Sequence, residues 1–197
     1  MELNTTAQAT AWFGRSRPSV GDPDAELVAA AQADPEAFVV LYERYFARVL
    51  GYVRLRIADR AAGEDVTSQI FTTALAKLGS FRGHGPFAAW LFRIARNTVH
   101  DEYRGRKDMT QSEEALAELP GPEPGPEERV LERERQMQLR AALAELRTDQ
   151  QHLLALRYGA GMSFEELGAA LGVPPGTARV RVHRIVQELR RRYPDEV

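Results

Sequence analysis

The chain has 197 residues, 44% of them apolar, with a formal net charge of −2 and a pI near 6.1. That length holds one or two domains with a core of ordinary size, and a near-neutral charge summed over unlike segments does not exclude a nucleic-acid partner. The absence of cysteine excludes disulfides, zinc knuckles and a thiol nucleophile, and fits a reducing, cytoplasmic setting.

Residues 1–23 are polar and rich in Thr, Ala, Ser, Gly and Pro, and read as a mobile tail. Its apolar pair, Trp12-Phe13, is either incidental or an anchor. No basic region followed by an apolar run opens the chain, so no secretory signal is expected. No stretch approaches an uncharged membrane span, so no membrane insertion is expected either.

A helical domain is predicted over residues 24–107. Asp24 is placed to cap a first helix carrying Leu27, Val28 and Ala31. Asp34-Pro35 restarts the chain, since proline suits a first helical turn. Phe38, Leu41, Tyr42, Tyr45, Phe46, Val49, Leu50 and Val53 then keep helical spacing, and Ala58-Asp59-Arg60 breaks it. Glu64 to Leu78 is predicted as the next helix, with Val66, Ile70, Phe71, Ala74, Leu75 and Leu78 inside. A glycine-rich loop follows, then a helix from Phe87 to about Arg104 with Trp90, Leu91, Ile94, Ala95 and Val99 apolar. Trp90 is either core or a stacking platform. His100-Asp101-Glu102 points in different directions on a helix, so no metal site is expected there; Asp101 is expected to cap or to pair with Arg104.

Residues 108–128 change character. LPGPEPGPEE resists packing and its like charges repel, which marks an acidic, extended linker. A second helical domain is predicted over residues 129–193. It carries Leu139, Leu143, Leu146, Leu153, Leu154, Leu156 and Tyr158. No alternating strand pattern occurs, so the expected fold is all-α with two domains.

The end of that second domain is its most informative stretch. Ser163 and Glu166 form a capping box, and Phe164, Leu167, Ala170 and Leu171 give the helix one apolar face. Gly172 stops it and Pro174-Pro175 cannot continue it, so Gly176-Thr177 is predicted to open the next helix. On that helix Ala178, Val182, Ile185 and Leu189 share one side and are predicted to be buried. Val180, His183, Arg184, Gln187, Arg190 and Arg191 share the other, with Arg179 at its edge. A short helix, a tight turn and a helix with a basic outer face fit the DNA major groove. Arginine can bond guanine bidentately, and Val180 can touch a thymine methyl. A helical hairpin with solvated arginines is the plainer alternative.

The segment SFRGHGPFAAWLFRIARNTVHDEYRGRK resembles the promoter-melting region of the extracytoplasmic-function (ECF), or group IV, sigma factors of bacterial RNA polymerase. The motif is Trp90-Leu91-x-x-Ile94-Ala95-Arg96-Asn97, followed by Asp101 and Arg104. A second match runs Ser163-x-x-Glu166-Leu167, Leu171-Gly172-Val173-x-x-Gly176-Thr177, then Arg179-x-Arg181-x-x-Arg184. It is similar to that family's domain for the −35 element. Order, spacing and linker match as well.

The resemblance implies that Phe81, His84, Arg93, Arg96, Asn97 and Arg104 serve −10 recognition and melting, with Arg106 and Lys107 extending the basic track. Asn97 and the loop would hold a flipped base, Asn97 offering donor and acceptor to its edge. Thr177, Arg179, Val180, His183 and Arg184 would read the −35 element. Glu64, Asp65 and Gln69 would meet the polymerase clamp, and Phe71 fits either that surface or the core. The linker would thread the RNA-exit path, or act as a plain tether. Core RNA polymerase, promoter DNA and an anti-sigma factor are the implied partners; no cofactor, metal or catalytic site is implied. The chain departs from the family at Ser68-Gln69, where Gln-Glu is common, at Val180, where serine is frequent, and at Val182, which replaces a longer aliphatic. Two other classes fit the bare residues: a helix-turn-helix regulator with a sensing or dimerising domain, and a helical adaptor that binds only protein.

Overall fold

A computed structural model of the chain describes residues 22–107, 138–139 and 141–193, without the side chains of 105–107. The N-terminal tail with Trp12-Phe13, the acidic linker 108–128 and the side chains of Arg106 and Lys107 lie outside the described residues. Those residues are helical, with no strand among them. Helix α1 is Ala25–Ala33, α2 is Phe38–Arg54, α3 is Arg60–Lys77 and α4 is Phe87–Lys107. Short helical stretches at 138–139 and 141–144 precede α5, Thr148–Leu154, which widens into a π-helical turn, Ala155–Gly159. The helix-turn-helix is α6, Phe164–Leu171, and α7, Pro175–Arg192.

Local chemistry sets most of the boundaries. Asp34 caps a 3-10 turn at Pro35–Ala37, its carboxylate accepting from the Glu36 N–H at 3.0 Å. Asp59 accepts from the Ala62 N–H at 2.6 Å and starts α3 at Arg60, four residues before the predicted Glu64. The capping box on α6 is present on both sides: the Ser163 hydroxyl accepts from the Glu166 N–H at 3.1 Å, and the Glu166 carboxylate accepts from the Ser163 N–H at 2.8 Å. Gly172 ends α6 at φ 65°, a left-handed conformation that glycine adopts without steric cost. Helix α7 begins at Pro175, not at Gly176-Thr177, because a proline with its fixed φ fits the first helical position.

Asp24 stands before α1, as predicted, but does not cap it with its side chain. The carboxylate turns inward, accepts from the buried Tyr45 hydroxyl and pairs with Arg44 Nε at 3.0 Å. Burial, followed by the bond to Asp24 and its charge, drives the Tyr45 pKa well above the usual phenol range.

The core is one continuous cluster. It runs from Val28 and Ala31 through Leu41, Tyr45, Val49, Tyr52 and Val53 of α2, Val66, Ile70 and Phe71 of α3, and Phe87, Leu91, Phe92 and Ala95 of α4. It continues into Leu153, Leu156, Met162, Leu167, Val182 and Ile185 of the C-terminal module. The two modules therefore share buried surface instead of standing apart. Leu75, predicted to lie inside, is exposed, and so are Tyr42 and Phe46 of the apolar stripe on α2. Each lies where the apolar stripe of its helix is wider than the neighbouring helices can cover.

Candidate nucleic-acid interface

Two surfaces carry the predicted DNA-facing residues. On α7, Ala178, Val182, Ile185 and Leu189 are buried as expected, which fixes the rotation of the helix. Thr177, Val180, Arg184, Gln187 and Arg191 then form one exposed stripe, with Arg179, His183 and Arg190 beside it. Val180 keeps 48% of its surface open. Arg179 lies over the Phe164 ring at 4.9 Å, and Arg157 at 4.7 Å, so Arg179 also fastens α7 to the start of α6. The exposed Glu165 carboxyl beside them is held below its ordinary range. Hydrogen bonding to its own backbone leads, the Ser163 hydroxyl follows, and the Arg179 charge adds to it.

The second surface is the loop before α4 and the outer face of that helix. The loop is anchored at both ends. The Gln32 amide donates to the Leu78 and Phe81 carbonyls, both at 2.9 Å. The Asp22 carboxylate accepts from the Phe87 N–H at 2.8 Å, which places a negative charge at the N-terminus of α4. Between the anchors, Gly83 takes φ 66° and His84 is exposed. Phe81 and Trp90 are half-buried and pack against each other at 5.3 Å, each also contacting Phe87. Trp90 thus packs at the edge of the core and also walls a recess. That recess is lined by Phe81, Arg82, His84, Trp90 and Arg93, and on its far side by Ala169, Ala170 and Gly172 of the C-terminal module.

Arg93 and Asn97 are exposed one turn apart on α4, and Arg104 is exposed further along. Arg96 faces another way. It is half-buried, and its positive charge acts on Tyr52 and His152 beneath it. Asp101 lies 3.8 Å from His100. On α3, Glu64, Asp65 and Gln69 are all exposed. Glu64 pairs with Arg60 at 2.9 Å, the Ser68 hydroxyl donates to the Glu64 carbonyl at 3.0 Å, and Gln69 reaches Thr73 at 3.4 Å. Phe71 is buried, so its role is core packing. It supports the neighbouring exposed rings of Tyr42 and Phe46, at 4.7 and 6.4 Å.

With this geometry in hand, residues 41–108 match the Sigma-70 region 2 family and residues 136–189 match Sigma-70, region 4. The ECF RNA polymerase sigma factor SigD of Mycobacterium tuberculosis is 31% identical over 173 residues, which are 85% of this chain and 82% of SigD. This chain belongs to the ECF RNA polymerase sigma factors. The ECF sigma factor BldN of Streptomyces coelicolor is 35% identical over 176 residues, covering 87% of this chain and 66% of BldN. The solved structure of CnrH in complex with the cytosolic domain of CnrY shares the fold, with a TM-score of 0.65 at 24% identity over 89% of this chain and all of that one. An ECF sigma factor is a transcription initiation factor, and its two regions imply core RNA polymerase and promoter DNA as partners.

The sequence did not mark the residues that join the two regions of this sigma factor. The Tyr52 hydroxyl and His152 Nδ1 lie 2.8 Å apart, both side chains buried. Burial, then the Arg96 and Arg56 charges, pushes the His152 pKa down to about 3, so its imidazole is neutral. Burial likewise raises the Tyr52 phenol above its usual range. No local pattern singles out a histidine as one side of such a pair.

Proposed function

We propose that this ECF sigma factor, of the group IV class, brings core RNA polymerase to its promoters through two separate contacts and opens the DNA at one of them. Helix α7 reads the −35 element with Thr177, Val180 and Arg184 along the groove and Arg179 and His183 at its edges. The anchored loop and α4 hold the −10 region, with Asn97 bonding the edge of an unpaired base and Phe81 and His84 beside it. Arg93 and Arg104 neutralise phosphates there, and Arg96 completes the local positive field. The domain limits fit this division of labour: 24–107 for polymerase binding and melting, 129–193 for −35 recognition, and 108–128 as the tether.

The observation that carries this reading is the placement of Asn97. It is a polar, exposed side chain on a helix whose opposite face is core, one turn from Arg93, which lines the recess beside a loop pinned at both ends. A held strand needs such a rigid platform, since extruding a base costs a few kcal/mol that the pocket must recover. Glu64, Asp65 and Gln69 supply the polar part of a polymerase-docking face, and the exposed rings of Tyr42 and Phe46 beside them supply its apolar part. The polymerase makes the RNA, and the factor contributes no catalytic group. An anti-sigma factor restrains it, and its place of work is the cytoplasm, where polymerase and promoter meet. Among the described residues no helix is long and apolar enough to cross a membrane.

The test is transcription from promoter fragments with purified core polymerase, followed by permanganate footprinting. Asn97→Ala is expected to form closed complexes normally and to lose thymine reactivity at the −10 region. Normal melting by the variant would remove Asn97 from this role. Absence of any transcript with the wild-type factor would remove the reading as a whole.

A further inference from the structure

Helix α7 sorts its polar side chains into two sets. Those on its flanks are held by the protein itself. Arg179 lies over the Phe164 ring, Glu188 bonds Gln150 at 3.4 Å and pairs with Arg192 at 2.8 Å, and Arg192 reaches Glu145 at 3.8 Å. Those on the outward stripe are not held. Among the described residues, none bonds the side chains of Thr177, His183, Arg184 or Gln187. Arg191 folds back along the helix, its Nε donating to the Gln187 carbonyl at 3.4 Å, while the Gln187 side chain is exposed.

The stripe also has a spacing suited to reading bases. A helix lying in a major groove can present base-contacting side chains at i, i+3, i+4 and i+7, positions that repeat on one face. Val180, His183, Arg184 and Gln187 occupy those four places. Burial of Ala178, Val182, Ile185 and Leu189 on the other side fixes their rotation toward solvent. Gln187 follows Arg184 by three residues, or about 4.5 Å along the helix. One base pair occupies about 3.4 Å of duplex, so side chains that far apart meet bases one or two steps apart.

The chemistry of the side chain names the base. A glutamine amide carries a donor and an acceptor side by side in one plane. In the major groove adenine offers the matching pair, its N6 amino group as donor and N7 as acceptor. We propose that Gln187 is a further specificity-determining residue, which reads an adenine of the −35 element one or two base pairs from the base that Arg184 contacts. This rests on the sigma-factor reading, under which α7 lies in the groove. An amide at that place could instead bond a phosphate, a contact that carries no sequence information, and binding to altered duplexes separates the two.

Holoenzyme assembled from the full chain and core polymerase is titrated against a promoter duplex, against duplexes in which each −35 base pair is replaced in turn, and against scrambled DNA. The wild type is expected to prefer adenine at one position by about 5- to 150-fold over other bases. Gln187→Ala should erase that preference and keep those at the other positions. Gln187→Arg should turn the same position toward guanine, whose O6 and N7 match a guanidinium. Should Gln187→Ala lose its helical circular dichroism, Gln187→Glu, which has the same shape but no donor, is read in its place and must lose the adenine preference too. A variant profile identical to the wild type overturns the assignment. Weakening by one factor on every duplex overturns it as well, and makes Gln187 a phosphate contact. In both cases the wild type still discriminates. Wild-type holoenzyme that binds promoter and scrambled DNA alike fails the sigma reading itself, and the role of Gln187 with it.

Discussion

His152 sits where a protonated imidazole is least welcome. It is buried, and the nearest charges, Arg96 and Arg56, share the sign it would acquire. Its pKa is about 3 in the folded chain, against 6.5 when unfolded. Above pH 6.5 both states hold the ring neutral, and the folded state keeps all the stability this residue allows. As pH falls from 6.5 toward 3 the unfolded chain takes up a proton that the folded chain refuses, so stability declines. From pH 6.5 to 5 the expected loss is about 1–2 kcal/mol, at about 1.4 kcal/mol per pH unit. That window lies above the range where exposed carboxylates titrate. Urea unfolding at stepped pH should show the slope in the wild type and a flatter profile in His152→Gln. The same slope in both would place the pH dependence elsewhere. The sequence could not mark this residue, because its partner Tyr52 is 100 positions away. By contrast Ser163, Glu166 and Gly172 act on neighbours within a few residues, and their roles were legible from spacing alone.

At the level of elements, legibility followed how completely each helix is covered. Helix α7 has a narrow apolar side against the rest of the molecule and an open basic side, so the periodicity gave both its buried set and its exposed stripe. Helices α2 and α3 carry a second apolar strip, formed by Tyr42, Phe46 and Leu75, that faces outward. Periodicity merges such a strip with the core, since it registers apolar positions and not what covers them. A binding face built from aromatics is invisible by that rule until neighbouring helices are placed. The exposed stripe of α7 gives its own prediction. Arg184 stands three and four positions from Gln187 and Val180 and can reach a base edge. Arg184→Ala is expected to weaken the holoenzyme at its −35 element by about 1–3 kcal/mol while leaving binding to scrambled DNA nearly unchanged. Electrophoretic competition between the two DNAs measures the difference. An equal loss on both would make Arg184 a phosphate contact.

For the molecule as a whole, the two regions were legible separately and their packing was not. Gly51 reads in the sequence as a weak point inside a helix and Gly159 as the end of one. Nothing local shows that the two backbones meet, so closely that a Cβ at Gly51 would lie 2.2 Å from the Gly159 carbonyl oxygen. Region 4 shares buried surface with region 2 beside that contact. Region 4, residues 129–193, is small for a domain, and domains of that size fold with little stability to spare. Its buried Leu153, Leu156 and Met162 join the core cluster that contains Val49 and Tyr52 of region 2. Two modules that share a core should unfold together. Calorimetry of the wild-type factor is therefore expected to give one transition, with van't Hoff and calorimetric enthalpies in agreement. Gly51→Ala should divide it, because the forced separation exposes the seam and leaves region 4 with only its own core. Its transition should then move to lower temperature, while that of region 2, with a better α2, stays or rises. Two transitions in the wild type would mean that the shared core contributes little, whereas a single transition in the variant at the wild-type temperature would mean that the glycine contact is not what joins the halves.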